Sequence, residues 1–294
     1  MYCLKTALIF SLIITCSAYS QLPMKNGRLN GHFEQINPNN ETVVKGDFTD
    51  NFRTGKWTIT YDSTDVIYTR DYSSKYGFKA TDSENENPTI VKFDLIRDSS
   101  GLYNYPKALD SNIVWSKRVV SILTRKNNEE IYSANLLSAI NKLVKKNEIK
   151  AYDDDEFSIV INKESFDVTN CELDRITLKK DYYYDKSLQM MIERIVALNF
   201  HLKGDDNKLN SFSIYYPTDG RKLLSSLTIN YNSEIKHLDD FVFFRQYSDI
   251  IYDENKLDGS MISPDLDNPS KYEDLSTRVK SLIINAEHSF WLSH

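Results

Sequence analysis

LKKDYYYDKSLQMMIERIV, residues 178–196, reads as the middle of a β-hairpin. Two runs rich in aromatic and β-branched residues, Ile176 to Tyr184 and Met190 to Leu202, flank the turn material Asp185-Lys-Ser187, the pattern of antiparallel strands joined by a short loop. Outward from this hairpin the chain alternates strands and helices. Ile113 to Leu123 is rich in β-branched residues and predicts a strand. Between Ala134 and Asn147, Leu136, Leu137, Ile140, Leu143 and Val144 fall on one helical face; Ser133 is placed to cap the start and Lys145 and Lys146 suit the negative end of the dipole. Ile149 to Tyr152, Phe212 to Tyr216 and Leu224 to Tyr231 predict further strands. Asp239 to Gln246 predicts a short helix and Lys271 to Trp291 a long one, with Leu275, Val279, Leu282, Ile283, Ala286 and Phe290 on one face.

Ahead of this body the pattern changes. Gly31-His-Phe33, Gly46-Asp-Phe48 and Gly55-Lys-Trp57 each set a glycine two residues before an aromatic, and each opens a run of alternating character such as Trp57 to Tyr61. Turn material separates them at Asn37-Pro-Asn-Asn40, Thr49-Asp-Asn51 and Asp62-Ser-Thr64. Residues 21–76 resemble the MORN-like hairpin repeats of exported bacterial proteins, and an ordinary β-meander fits the same spacing. Polar stretches at Ala80 to Asn87 and Ser99 to Asp110 predict a linker over 77–109, interrupted by one strand at Ile90 to Ile96. The fold class expected is α+β, an antiparallel hairpin module followed by a mixed α/β domain over 110–294 with a C-terminal helix.

The first residues read as an export leader: Lys5 supplies the charge, Ala7 to Ile14 the apolar run, and Ala18-Tyr-Ser20 the small residues before a cut at Gln21. Cleavage removes Cys3 and Cys16, so the mature chain keeps Cys171 alone and has no intramolecular disulfide. Cys16 as a lipid-bearing residue is disfavoured, because Thr15 is larger than the residue such a site accepts. The formal charge of −6 and basic runs no longer than a pair argue against a nucleic-acid partner, which requires a basic stripe.

VWSKRVV (114–120), AYDDDEF (151–157), the hairpin segment 178–196, YYPTDGRKLL (215–224), LDDFVFFRQYSDIIYDEN (238–255) and AEHSFW (286–291) follow one another in an order that resembles the GldN/PorN family of gliding-motility and type IX secretion proteins. The resemblance covers about 110–294. It implies a periplasmic protein under the outer membrane that joins an outer-membrane lipoprotein of the GldK/PorK type in a ring of many copies. It also implies contact with the periplasmic part of a GldM/PorM-type motor. The hairpin module has no counterpart in that resemblance.

No catalytic, cofactor or metal constellation emerges. The five histidines form no pair at helical ligand spacing, and there is neither a nucleophile elbow nor a phosphate-cradling loop. Cys171 sits in a polar stretch as a spectator thiol. Asp153-Asp-Asp-Glu156 lacks the glycine and later glutamate of a calcium loop and reads first as a solvated turn, with a patch for a basic partner as the alternative. Aromatic density is more informative. Tyr182, Tyr184, Phe241, Phe244, Trp57 and Trp115 are the candidate interface residues, each weighed against a place in the core. Two functions follow: a non-enzymatic structural component of the secretion and gliding machinery, or an exported glycan-binding module that presents Trp57, Tyr61 and Tyr68 as a stacking platform.

Overall fold

Side-chain alternation along extended backbone builds the N-terminal part. The computed structural model describes residues 22–37, 41–61, 65–74, 77–83, 85–92, 95–106, 108–203, 209–254 and 268–291. The leader, its cut site, Cys16, His294, residues 38–40 and the turn at 62–64 lie outside the described residues. A small hairpin, β1 (Met24–Lys25) and β2 (Arg28–Leu29), precedes six strands. These are β3 (Gly31–Asn37), β4 (Thr42–Thr49), β5 (Phe52–Tyr61), β6 (Asp65–Ser74), β7 (Gly77–Asp82) and β8 (Asn85–Lys92). They pair antiparallel in sequence order as one meander. Asn26 with Gly27, and Asp50 with Asn51, take positive φ at the β1–β2 and β4–β5 turns, the backbone that matches the twist of paired strands.

The glycine and aromatic spacing has a packing cause. Phe33 pairs across from Gly46, and the Trp57 ring lies over that glycine so closely that a Cβ there would sit 2.1 Å from Trp57 Cδ2. Phe33, Phe48 and Trp57 thereby meet at centroid distances of 4.9 to 5.9 Å on the inner face. The meander runs beyond Tyr76: Phe78, Ala80 and Val91 point into the same core, so β7 and β8 occupy what the polar composition assigned to a linker. The strand expected at 90–96 is instead β8, ending at Lys92.

The second sheet contains β9 (Ile113–Leu123), β10 (Glu172–Asp185), β11 (Met190–Lys203), β12 (Ser211–Tyr215) and β13 (Asp249–Glu254), in the order β12-β11-β10-β9-β13, all antiparallel. The hairpin read from sequence is its centre. Ile176, Leu178, Lys180, Tyr182 and Tyr184 alternate onto one face of β10. Helices α1 (Glu129–Ser133), α2 (Leu136–Lys145), α3 (Arg221–Ser225) and α4 (Leu238–Phe243) cover the end of that face carrying Ile176 and Leu178. The other end, with Tyr182 and Tyr184, lies under α5 (Glu273–Trp291).

Several local expectations are corrected. Ser133 closes α1 rather than capping α2, whose start follows Asn135. The strand expected at 149–152 reduces to two isolated bridges at Tyr152, one to Ser213 and one to Val160. Leu224 to Tyr231 is not a strand: Leu223 and Leu224 are both buried, which adjacent positions on a helix allow and a half-exposed strand does not; α3 ends at Ser225, and the rest of the segment makes one isolated bridge, Thr228 to His237. Strand β13 was not expected from its short Ile250-Ile-Tyr252 run. Helix α5 buries two faces instead of one. Val279 and Ile283 contact the five-stranded sheet, Ile284 and Trp291 the meander, and Leu282 is 44% exposed. The result is three layers, with α5 between the two sheets.

Candidate functional site at the junction of the sheets

An inward register position on β5 and one on β6 each carry arginine where the pattern calls for an apolar residue. Arg53 on β5 forms a 2.7 Å ion pair with Glu287 of α5, and its Nη2 lies 3.3 Å from Nε2 of His288, which accepts the hydrogen bond. Glu287 and His288 are both buried. The Arg53 guanidinium also lies 5.1 Å from the Trp57 ring and 5.5 Å from the Trp291 ring. Arg70 on β6 is 1% exposed. Its Nε donates to Tyr68 Oη at 2.9 Å, its Nη1 donates to the Gln189 carbonyl in the β10–β11 turn at 2.6 Å, and its plane lies 4.1 Å from Phe78. Burial, then the positive charges of Arg53 and Arg70, drive the His288 pKa well below its ordinary value, so the ring is neutral, consistent with its role as acceptor.

A cavity of about 90 Å³ opens beside this contact, lined in part by Arg53, Glu193, Arg245, Tyr247, Lys280 and Glu287. Lys180, 1% exposed on β10, lies behind it, 2.5 Å from Asp249 and 3.6 Å from Glu193. Lys280 of α5 reaches Asp249 at 3.2 Å, and Tyr247 Oη donates to Glu193. Burial opposes the charge on Lys180, yet the Asp249 and Glu193 carboxylates overcome it and hold its pKa above the ordinary value. Asp249 is displaced below the ordinary carboxylate range by Lys180 and Lys280 against the cost of its burial. Two lysines thus face two carboxylates, and a lysine held protonated is a clamp, not a nucleophile.

A third polar cluster ties the lead-in segment to the helices. Arg221 pairs with Asp239 at 2.9 Å and donates to the Tyr103 carbonyl at 2.7 Å, while Arg97 pairs with Asp240 at 2.9 Å. Tyr216 Oη donates to Asp239 at 3.2 Å. The YYPTDGRKLL and LDDFVFF segments meet here. Asp239 has a raised pKa, because burial outweighs its bonds to Arg221 and Tyr216.

Five of the six candidate interface aromatics are interior. Trp57 is at the centre of the meander core. Tyr182 accepts a hydrogen bond from Lys180 at 3.1 Å, and Tyr184 stacks on Phe290 at 4.5 Å. Phe241 and Phe244 belong to the core under α2, α3 and α4. Trp115 is half-buried against the α5 cluster. Tyr182 and Tyr184 are buried because α5 covers their end of the β10 face, a feature alternation alone does not reveal. The stacking platform is likewise not assembled, since Trp57 and Tyr68 are buried and Tyr61 alone of the three is exposed. Sequence reasoning missed Arg53, Arg70 and Lys180, and it reads Glu287-His288 as a polar helix face, whereas both are buried. A signal existed for Lys180, which interrupts the row Ile176, Leu178, Tyr182, Tyr184 on one face; a lysine so placed is buried and must be paired.

Residues 109–292 match the family model described as gliding motility associated protein GldN. The chain belongs to the GldN family. The GldN region begins just ahead of β9 and extends through α5, so among the described residues it contains the five-stranded sheet and helices α1 to α5 but none of the meander. The junction is therefore where the GldN body meets an added sheet. GldN proteins are structural components of gliding motility and type IX secretion. No curated protein matches the chain.

Proposed function

We propose that this chain is an exported, non-enzymatic building block of the type IX secretion and gliding machinery. Its leader is cut before Gln21, and it occupies the periplasm beneath the outer membrane. There it assembles in many copies with an outer-membrane lipoprotein of the GldK/PorK type and touches the periplasmic part of a GldM/PorM-type motor. The match of the GldN model to the whole α/β body carries this reading. The internal charge pattern supports it: the buried cations Lys180 and Arg221 are bound in ion pairs inside the body, which gives a rigid shape with surfaces as its working parts. Closed rings of identical subunits form from such bodies through repeated heterologous contacts. The meander adds a further layer, held to the body by Arg53 and Arg70.

The test is affinity purification of the tagged chain from an envelope fraction, with size analysis of the eluate. The expected result is an outer-membrane lipoprotein recovered in a large multi-copy assembly. A monomer that retains glycan and brings down no protein refutes the reading.

A further inference from the structure

The segment between the meander and the body makes a turn of its own. Asp98 N donates to the Leu102 carbonyl at 2.8 Å and Asn104 N to the Ile96 carbonyl at 2.9 Å. The Asp98 carboxylate accepts from Ser100 N at 2.8 Å and from Ser100 Oγ at 2.6 Å. Arg97 Nη1 donates to the Gly101 carbonyl at 2.6 Å, and Gly101 turns the chain at a φ of +82°. Among the described residues, every backbone-to-backbone hydrogen bond of 95–106 stays within the segment. It is therefore a strap that shapes itself and is held to the body through side chains.

What the strap covers belongs to the GldN body. Tyr103 stacks on Phe243 and meets Phe244 edge-on, both at 5.1 Å, and Tyr105 lies 4.8 Å from Phe243. Arg97 reaches Asp240 at 2.9 Å, Arg221 donates to the Tyr103 carbonyl at 2.7 Å, and the Tyr105 and Tyr216 hydroxyls are 3.2 Å apart. Tyr216, Arg221, Asp240, Phe243 and Phe244 all lie inside the matched region 109–292, and the strap lies outside it. Two phenylalanine rings and two charges of the body are thus buried beneath a segment that the matched region does not contain. The fit is incomplete. A cavity of about 50 Å³ remains under Tyr105 and Pro106, walled in part by Met190, Ile192 and Val242. The Arg97 side chain is 33% exposed, so it stands at the rim, where a competing cation can replace it.

We propose that Tyr216, Arg221, Asp240, Phe243 and Phe244 form a peptide-binding groove, and that residues 95–106 are its built-in occupant, a lid displaced by an extended segment of a different protein. The strap displays the chemistry the groove accepts: an arginine for Asp240, two tyrosines at alternate positions for the rings of Phe243, Phe244 and Tyr216, and a main-chain carbonyl for Arg221. An apolar side chain longer than proline after the second tyrosine fills the space under Pro106, which favours the incoming segment over the strap. Reach disfavours a second copy. Its strap is tied to β8 at Lys92 and to the body from Asp110, and the two or three residues on either side span about 7–11 Å. That lifts a strap from its own groove but falls short of the roughly 16 Å radius of gyration of a body this long. The groove goes beyond the structural-component role and does not depend on ring assembly.

The probe is a labelled synthetic peptide of residues 95–106 carrying Pro106→Leu, and its binding to the full chain is read by fluorescence anisotropy. An open variant, Tyr103→Ala with Tyr105→Ala, frees the groove; both changes lie on the strap and leave the side chains of the body in place. The peptide should bind the open variant, and bind the wild type about tenfold more weakly or less, because the native strap keeps the groove closed most of the time. Alanine at both peptide tyrosines should abolish binding. Hydrogen exchange on the wild type needs no variant: saturating peptide should speed exchange at residues 95–106 and leave the β10–β11 hairpin unchanged. Equal binding to both forms, no binding to either, binding that survives without the tyrosines, or unchanged exchange overturns the proposal. Dimerisation of the open variant in size analysis puts a second copy in the groove and overturns the choice of a different protein. Peptide binding reads the groove alone, so absence of a large assembly removes the ring and leaves the groove, and absence of peptide binding does the reverse.

Discussion

The guanidinium of Arg70 lies 4.2 Å from the Trp291 ring, so a residue of the added meander stacks on the last described turn of the GldN body. This contact is fully desolvated, since both residues are almost completely buried, and a cation over indole gains most when water is excluded. Arg70 also donates to Gln189 in the β10–β11 turn. One side chain therefore holds the meander to two elements of the body. Trp291→Ala should destabilise the chain by about 3–5 kcal/mol, the usual cost of removing a large core aromatic. Urea unfolding followed by circular dichroism checks it, and a loss under about 1 kcal/mol would mean the layers are not coupled through this ring.

The Arg53–Glu287 pair is open to a double-mutant cycle. Breaking a buried pair by removing one partner leaves an uncompensated charge, at about 3–5 kcal/mol, so Arg53→Met and Glu287→Gln should each be costly. The double variant should cost less than their sum by roughly 1 kcal/mol or more. Strict additivity would show that the two groups do not interact in solution.

Acid should weaken the junction through His288. Its pKa in the folded chain is far below that of an unfolded histidine, so the unfolded state takes up the proton first. The contribution of the neutral ring is complete above about pH 6.5 and is lost progressively as pH falls below that value. Asp249, held low by Lys180 and Lys280, contributes in a separate window, lost only as pH drops through about 4 and below. Stability measured between pH 7 and 5 should fall in the wild type and fall less in His288→Phe. Equal slopes would remove His288 from the account.

Lys180→Met should be among the most damaging single changes in the body. It strands Asp249 and Glu193 with a smaller share of positive charge, and loss of one member of a buried charge cluster costs about 3–5 kcal/mol. Combining it with Asp249→Asn should recover part of the loss, read as a partial return of Tm.

Gly46 and Gly55 make a matched pair. Gly46→Ala drives a methyl into the Trp57 ring and should cost about 1–3 kcal/mol or more through overpacking. Gly55 has a φ of +62° with open space around its Cα, so Gly55→Ala meets only backbone strain, about 1 kcal/mol. Reversal of that order in thermal melts would contradict the packing at Trp57.

How much of this was legible in the sequence depends on which physical signal each feature leaves. The β10–β11 hairpin and α5 were legible because periodicity and turn residues are local. The glycine before each aromatic signalled antiparallel hairpins, which fitted MORN-like repeats and an ordinary meander alike, and it did not show that Phe33, Phe48 and Trp57 converge, since convergence depends on cross-strand register. The extra strands β7 and β8 were masked by Ser, Asp, Glu and Asn, which compose a solvent-facing strand as readily as a linker. Leu223 and Leu224 misled because a short apolar run has no period of its own. The junction was the least legible part. Arg53, Arg70 and Lys180 look like surface charges until the layer that buries them is known, and that layer is supplied by α5, remote in sequence from all three.

Helix α5 follows in the chain every strand that it covers. Synthesis delivers the strands first, so the inner face of the meander, with Phe33, Phe48, Trp57 and Phe78, is open to water until α5 arrives to close it. A chain that stopped short of Ile284 would leave both sheets with an uncovered apolar face, so completion of the two cores waits on α5.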